Sequence, residues 1–76
     1  MNEYKTTDMD FATLLYCLKK KIKRLETISA KQKMFIFEDD GSIEKLKMDY
    51  INSELTVEPK ALWESMRSIK SMLYSI

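Results

Sequence analysis

The sequence contains no histidine and a single cysteine, Cys17. Structural zinc sites take four ligands that are usually Cys or His, and Cys–His or Ser–His–Asp nucleophile systems need a histidine, so this chain alone can build neither. An intramolecular disulfide needs two cysteines, so we expect a reducing, cytoplasmic setting. Cys17 lies beside an apolar helix face, which predicts a half-buried core residue rather than a reactive thiol.

Glycine, proline and long apolar runs are also scarce. The one glycine excludes a P-loop and a G-x-G-x-x-G fingerprint, and the one proline excludes a Pro-rich ligand segment. No apolar run approaches the roughly 18 residues of a membrane helix. Residues 1–5 lack the apolar centre of a signal peptide. We therefore expect no membrane association.

The composition is that of one small globular domain over residues 1–76. Hydrophobic residues make up 45% and charged residues 33%, with a formal net charge of +1. A disordered chain would have fewer apolar residues and a larger net charge. A chain this short buries only about 60–65% of the surface that its unfolded form exposes, which disfavours a large enclosed active-site cavity.

A helix followed by two strands is predicted in the first half. The helix, over residues 8–18, has Thr7 or Asp8 as its cap. Its apolar face, at i, i+3, i+4 and i+7, consists of Phe11, Leu14, Leu15 and Leu18. Residues 22–29 form a β-branched strand, and the continuous apolar run 34–37 predicts a strand inside the sheet. Residues 30–33 connect the two strands as a hairpin.

The second half predicts a helix over 43–52 with Ser42 as N-cap, and a last helix over 59–74 with Pro59 in its first turn. Residues 3–7 and 55–57 are candidate edge strands. The fold class is therefore α+β, a small antiparallel sheet with helices on one face, in the ferredoxin-like order β-α-β-β-α-β followed by a C-terminal helix. The alternative is a single hairpin packed by three helices.

Four segments carry a resemblance to a known family. They are residues 4–8 (YKTTD), 34–39 (MFIFED), 49–52 (DYIN) and 57–70 (VEPKALWESMRSIK). The chain is similar to a family of short uncharacterised proteins, a domain of unknown function, from Gram-positive bacteria and their phages. It departs from the pattern by having Thr7 in place of a serine and by lacking a glycine after the first helix. The resemblance implies a mobile-element setting in a bacterial cell or infected host cell, and brings no activity or site residues.

Positive charge is concentrated in the first 33 residues, which hold eight basic and four acidic side chains. The cluster consists of Lys19, Lys20, Lys21, Lys23, Arg24, Lys31 and Lys33. These residues are candidate phosphate contacts of a nucleic-acid-binding module. The competing interpretation, which the near-neutral pI of 7.8 favours, is a solvated helix end that complements the helix dipole.

The acidic run Glu38-Asp39-Asp40 follows the central strand. Carboxylates at a strand end can hold Mg²⁺ for a nuclease. Adjacent aspartates before Gly41 and a helix start are better explained as turn formers. We therefore expect no metal, no cofactor and no catalytic residues.

The last helix carries more large apolar residues than docking on a small sheet requires. One stripe consists of Leu62, Met66, Ile69, Leu73 and Ile76, and its near-heptad spacing could also pair two copies as a homodimer. A second row consists of Trp63, Arg67, Lys70 and Tyr74. Aromatic residues, Arg and Met are enriched at interfaces, although so small a domain can use every large side chain for its own core.

These observations favour a non-enzymatic protein that acts by binding. The leading hypothesis is a phage or mobile-element protein that binds a host or defence protein, as an inhibitor, through the row from Trp63 to Tyr74. The alternative is the nucleic-acid-binding module that uses the basic cluster.

Overall fold

The computed structural model describes residues 2–74. In chain order the elements are β1 (Asn2–Thr6), α1 (Met9–Cys17), β2 (Ile22–Ser29), β3 (Gln32–Asp39), α2 (Ile43–Ile51) and α3 (Pro59–Tyr74). Together they make an α+β fold, a three-stranded antiparallel sheet with three helices. None of the helices in this range is long and apolar enough to cross a membrane.

The sheet has the order β1-β3-β2, so the apolar strand β3 is central, as its run of large side chains predicts. Both neighbours are antiparallel to β3, and Phe37 lies opposite Tyr4 on one side and Ile22 on the other. Gln32 and Lys33 already pair with β2, so the hairpin turn is shorter than the predicted connector 30–33.

The core lies between one face of the sheet and the helices. Phe11 of α1 is fully buried at its centre, with the ring of Tyr4 at 5.9 Å and that of Tyr50 at 5.2 Å between centroids. The Lys47 ammonium lies 4.7 Å from the Phe11 ring centroid, a cation–π contact. The buried residues that complete this cluster are Ala12, Leu15, Phe35, Phe37, Ile43 and Ile69.

Helix α1 is buried on more than the one face that its periodicity predicts, because α3 packs mainly against α1. Ala12 and Thr13 are therefore buried along with Phe11 and Leu15. The Thr13 hydroxyl is satisfied by donating to the Met9 carbonyl at 2.8 Å. Leu14 and Leu18, expected on the core face, are only half-buried.

The ferredoxin-like order is wrong, because residues 55–57 form no strand. Strand β1, helix α1 and strand β2 do form one split β-α-β unit with β3 between the strands, but the second unit is not completed. After helix α2, Ser53 lies in the left-handed region (φ 58°), and the Glu58 carboxylate accepts hydrogen bonds from the N–H groups of Lys60 and Ala61 at the start of α3. Residues 54–57, between these two positions, pair with none of the described strands.

Two other details differ from the expectations. Ser42 is the residue before α2, but its side chain makes no capping bond to the helix. Ile51, expected on the core face of that helix, is 60% exposed. Ile76, the last member of the predicted stripe on α3, lies outside the described residues. Asp8, by contrast, caps α1 as predicted, accepting from the N–H groups of Asp10 and Phe11.

Lys19 lies two residues after the end of α1, where the family pattern has a glycine after the first helix. Its φ is +69°, its N–H donates to the Tyr16 carbonyl, and the N–H of Lys20 donates to the Leu15 carbonyl. These two bonds form a Schellman motif, whose left-handed position usually holds glycine because a Cβ there is strained.

We predict that Lys19→Gly stabilises the fold by about 1 kcal/mol, because it relieves this strain while removing an exposed side chain. Urea unfolding followed by circular dichroism measures the change. Lys21→Gly is the matched control, since Lys21 has no positive φ and should lose stability through added chain entropy. Equal effects of the two changes would contradict the assignment of strain to Lys19.

Candidate functional site

The structure divides the predicted basic cluster between two places. Five of its residues line a groove of about 640 Å³ that is bounded by the end of α1, by β2 and by α3; they are Lys19, Lys20, Lys21, Lys23 and Arg24. Lys31 and Lys33 lie at the far end of the β2–β3 hairpin, beside Leu73 and Tyr74 in a separate hollow of about 470 Å³. The seven residues therefore do not act on one ligand-sized surface.

Lys20 has a structural role. Its ammonium lies 3.5 Å from Asp40 Oδ2 and donates a hydrogen bond to the Ser42 hydroxyl, which fastens the end of α1 to the turn before α2. Asp40 Oδ1 also accepts from the hydroxyl of Ser42 at 2.6 Å and from its N–H at 3.0 Å. The Ser42 hydrogen bonds, with Lys20 as the nearby cation, lower the pKa of Asp40 to about 2.

The acidic run builds this turn, as the simpler interpretation predicted. Asp39 Oδ1 accepts from the N–H of Gly41 at 2.9 Å, and Gly41 has a φ of +96° that a side chain would strain. Within residues 2–74, no group of three or more His, Cys, Asp or Glu side chains is arranged to hold a metal ion.

Lys23 and Arg24 are ion-paired across the helix-free face of the sheet. Arg24 Nη1 and Lys23 Nζ lie 3.0 Å and 2.9 Å from the same oxygen, Oε2 of Glu3, and Arg24 Nε lies 3.0 Å from Glu26 Oε2. Glu3 lies on β1 opposite Glu38, and Arg24 lies on β2 opposite Ile36, so the ion pair crosses the central strand diagonally. Ile36 is fully buried although it is not part of the core cluster. We attribute its burial to the aliphatic parts of the Arg24 and Glu3 side chains on the same face of the sheet.

Lys19 and Lys21 are the groove residues whose charges are free. Both are exposed, and neither has an ion pair or side-chain hydrogen bond within the described part of the chain. The groove also has an uncharged lining that no sequence pattern predicted. It consists of Tyr16, Ile22, Leu25, Ser65 and Met72. The signal for Ser65 was available, since Leu62, Ser65, Ile69 and Met72 follow helical steps of three, four and three, and Ser65 interrupts that apolar stripe.

The second predicted surface is the outer face of α3. Trp63 and Tyr74 are 63% and 86% exposed, and Arg67 and Lys70 lie exposed between them. At a rise of about 1.5 Å per residue the row is roughly 16 Å long. None of its four side chains has a hydrogen bond, ion pair or ring contact with another described residue. The row is therefore not used by the domain's own core; we call it the outer α3 row.

Cys17, expected as a half-buried residue, has intermediate exposure and lies with Glu64 and Ser68 beside a shallow hollow of about 160 Å³ between α1 and α3. Glu64, next to Trp63 in sequence, borders this hollow and has no ion pair with Arg67 or Lys70 in the described residues.

The ion pairs of Glu3 predict an acid-sensitive contribution to stability. Hydrogen bonds from Arg24 and then Lys23 lower the pKa of Glu3 from 4.5 to about 2. Because the folded pKa lies below the unfolded one, the contribution is complete above about pH 4.5 and is lost as the pH falls toward 2. Wild-type protein should exceed Glu3→Gln in urea midpoint at pH 6, and the difference should shrink across this window. A difference that stays constant from pH 6 to pH 2 would rule out the linkage.

Comparison with known proteins gives a family but no activity. Residues 1–75 match a family described as a domain of unknown function, DUF5659. No curated protein and no solved structure matches the chain. The match covers nearly the whole chain and confirms that the chain is a domain of unknown function, while the bacterial and phage setting stays a prediction. The chain therefore belongs to the DUF5659 family of domains of unknown function.

Proposed function

We propose that this protein is a non-enzymatic binding protein whose outer α3 row docks on a protein partner. The observation that carries the proposal is the row itself, two large aromatic side chains that flank two cations, all four exposed and without partners among residues 2–74. Trp, Tyr and Arg are the residue types that most often dominate the binding energy of interfaces. A 76-residue domain has few large side chains to leave outside its core, and this helix leaves two aromatic ones exposed.

The row also indicates what the partner surface is like. Arg67 and Lys70 need carboxylates, and Trp63 needs an apolar pocket in which its ring can be desolvated. Met66, 37% exposed beside the row, offers an adaptable apolar contact at its edge. The partner is therefore a protein with an acidic rim around an apolar pocket.

The biological setting in the proposal rests on the sequence resemblance. A phage or mobile-element protein of this size can act by occupying a surface of a host or defence protein in the bacterial cytoplasm and inhibiting it. Helix-in-groove docking suits this action, because a single rigid helix face can block a larger protein's site.

Photo-crosslinking tests the docking surface. With p-benzoylphenylalanine in place of Trp63, we expect one dominant adduct in cells of the bacterium that carries the gene. The matched control places the probe at Met48 of α2, which is 53% exposed and lies outside the outer α3 row. Adducts from position 48 but not from position 63 would refute the proposal, and an adduct of two copies would assign the row to a homodimer instead.

The identified partner then allows a binding measurement. Trp63→Ala combined with Lys70→Glu should weaken binding at least 30-fold, because a central interface Trp alone contributes about 2 kcal/mol or more. Met48→Ala with Lys45→Glu is the control double variant, and it should bind like wild type. Unchanged affinity of the Trp63/Lys70 variant, with its fold confirmed by circular dichroism, would overturn the assignment.

Nucleic-acid binding is the second candidate, and the observation that favours it is that five basic residues border one groove. Three of the seven predicted phosphate contacts are engaged elsewhere, since Lys20, Lys23 and Arg24 pair with carboxylates of the domain. This leaves Lys19 and Lys21 at the groove, with Lys31 and Lys33 at the hairpin.

Salt dependence distinguishes this candidate. If duplex DNA binds, the slope of log affinity against log salt should be negative, and Lys19→Glu with Lys21→Glu should reduce its magnitude by about two, roughly 0.9 per lost phosphate contact. Fluorescence anisotropy of labelled duplex DNA, single-stranded DNA and RNA measures the slope. Lys20 is left unchanged because it holds the Asp40 turn. Absence of binding to all three at physiological salt would exclude the candidate.

A further inference from the structure

The groove beside the end of α1 is open to solvent and has the volume of a small-molecule site. Its volume of about 640 Å³ falls within the roughly 300–1,000 Å³ of typical ligand sites. One wall is apolar, formed by Ile22, Leu25 and Met72, and the Tyr16 side chain supplies a flat ring. Five of the described residues that line the groove are basic, and Lys19 and Lys21 are the two that no carboxylate of residues 2–74 pairs with.

Ser65 gives this groove a polar group that the fold itself does not use. The residue is only 8% exposed and lines the groove, on the face of α3 that packs toward α1. Its hydroxyl has no hydrogen bond to any of residues 2–74, whereas the comparably buried Thr6 and Thr13 hydroxyls both have one. Because no fully buried side-chain N or O atom among the described residues lacks a partner, this hydroxyl reaches the groove, where a ligand can hydrogen-bond it.

The charges at the mouth of the groove specify an anion. Lys19 and Lys21 extend from the turn that closes α1, with no carboxylate paired to either in the described residues. The helix dipole at this end is negative and would oppose an anion, but the Leu15 and Tyr16 carbonyls are already occupied by the N–H groups of the turn. Two full positive charges exceed the partial charge of the helix end, while the carboxylates of Glu38, Asp39 and Asp40 border the neighbouring hollow that these lysines also line.

We infer that this groove binds a small ligand that joins a phosphate to a flat apolar group, as a mononucleotide does. Lys19 and Lys21 contact the phosphate, the Ser65 hydroxyl donates a hydrogen bond inside the groove, and the flat group lies against Tyr16 and the apolar wall. The site does not use the outer α3 row, so this inference does not depend on the protein-partner proposal.

Isothermal titration calorimetry with AMP tests the site in the full chain. We expect AMP to bind, pyrophosphate to bind more weakly, and adenosine to show no measurable binding, because both the phosphate and the flat group are needed. Ser65→Ala should weaken AMP binding roughly 10-fold, the usual effect of losing one hydrogen bond to a charged or polar ligand group. Lys21→Gln should weaken it and reduce its salt dependence.

Two controls separate the site from general surface effects. Ser71→Ala removes an exposed hydroxyl from the same helix, and Lys31→Gln removes a free charge at the hairpin; both should bind AMP like wild type. Equal binding of adenosine and AMP, full affinity in Ser65→Ala, or no binding of AMP at low salt would each overturn the inference. Binding of single-stranded oligonucleotides that tightens with length and ignores Ser65→Ala would also overturn it, in favour of the nucleic-acid candidate.

Discussion

The packing of the Phe11 ring in the core is the interaction on which this small domain depends. Its ring meets Tyr4 of β1 and Tyr50 of α2, and Lys47 lies over it. Removing a buried Phe from a core costs about 3–5 kcal/mol, comparable to the whole stability of many domains of this size. Because α1 is fixed there, its C-terminal turn is also fixed, and so is the place where β2 and α3 leave a groove.

The basic residues of the groove and of the outer α3 row divide into two groups with different roles. Lys20, Lys23 and Arg24 hold parts of the fold together, the first at the turn before α2 and the other two across the sheet through Glu3. Exposed ion pairs contribute little free energy singly, but these join chain segments that are distant in sequence. The second group has no ion pair or side-chain hydrogen bond within residues 2–74, so its charges are available to a ligand or a partner. It consists of Lys19, Lys21, Arg67 and Lys70.

The sequence predicted most elements because their signals are local. Strand β2 has the predicted bounds, and Pro59 and Tyr74 bound the last helix as expected. The prediction of a strand at 55–57 was wrong. It rested on residue types alone, whereas the structure has a helix end near Ser53 and a helix cap at Glu58 on either side of this segment. The outer α3 row was found by periodicity alone. The groove could not be found that way, since Tyr16, Leu25 and Ser65 are brought together only by tertiary packing, and no pattern shows which lysines a carboxylate will occupy.

Helix α3 contributes to both proposed surfaces without sharing a residue between them. Ser65 and Trp63 are two positions apart, which places them about 200° apart around the helix, one facing the groove and the other solvent. A substitution at Trp63 therefore leaves the groove lining intact, and one at Ser65 leaves the outer row intact. Helix α3 packs mainly on α1 and only lightly on the sheet. Because α3 forms one side of the groove, any shift of α3 on partner binding would change the width of the groove. Each binding event would then change the affinity of the other by the same factor.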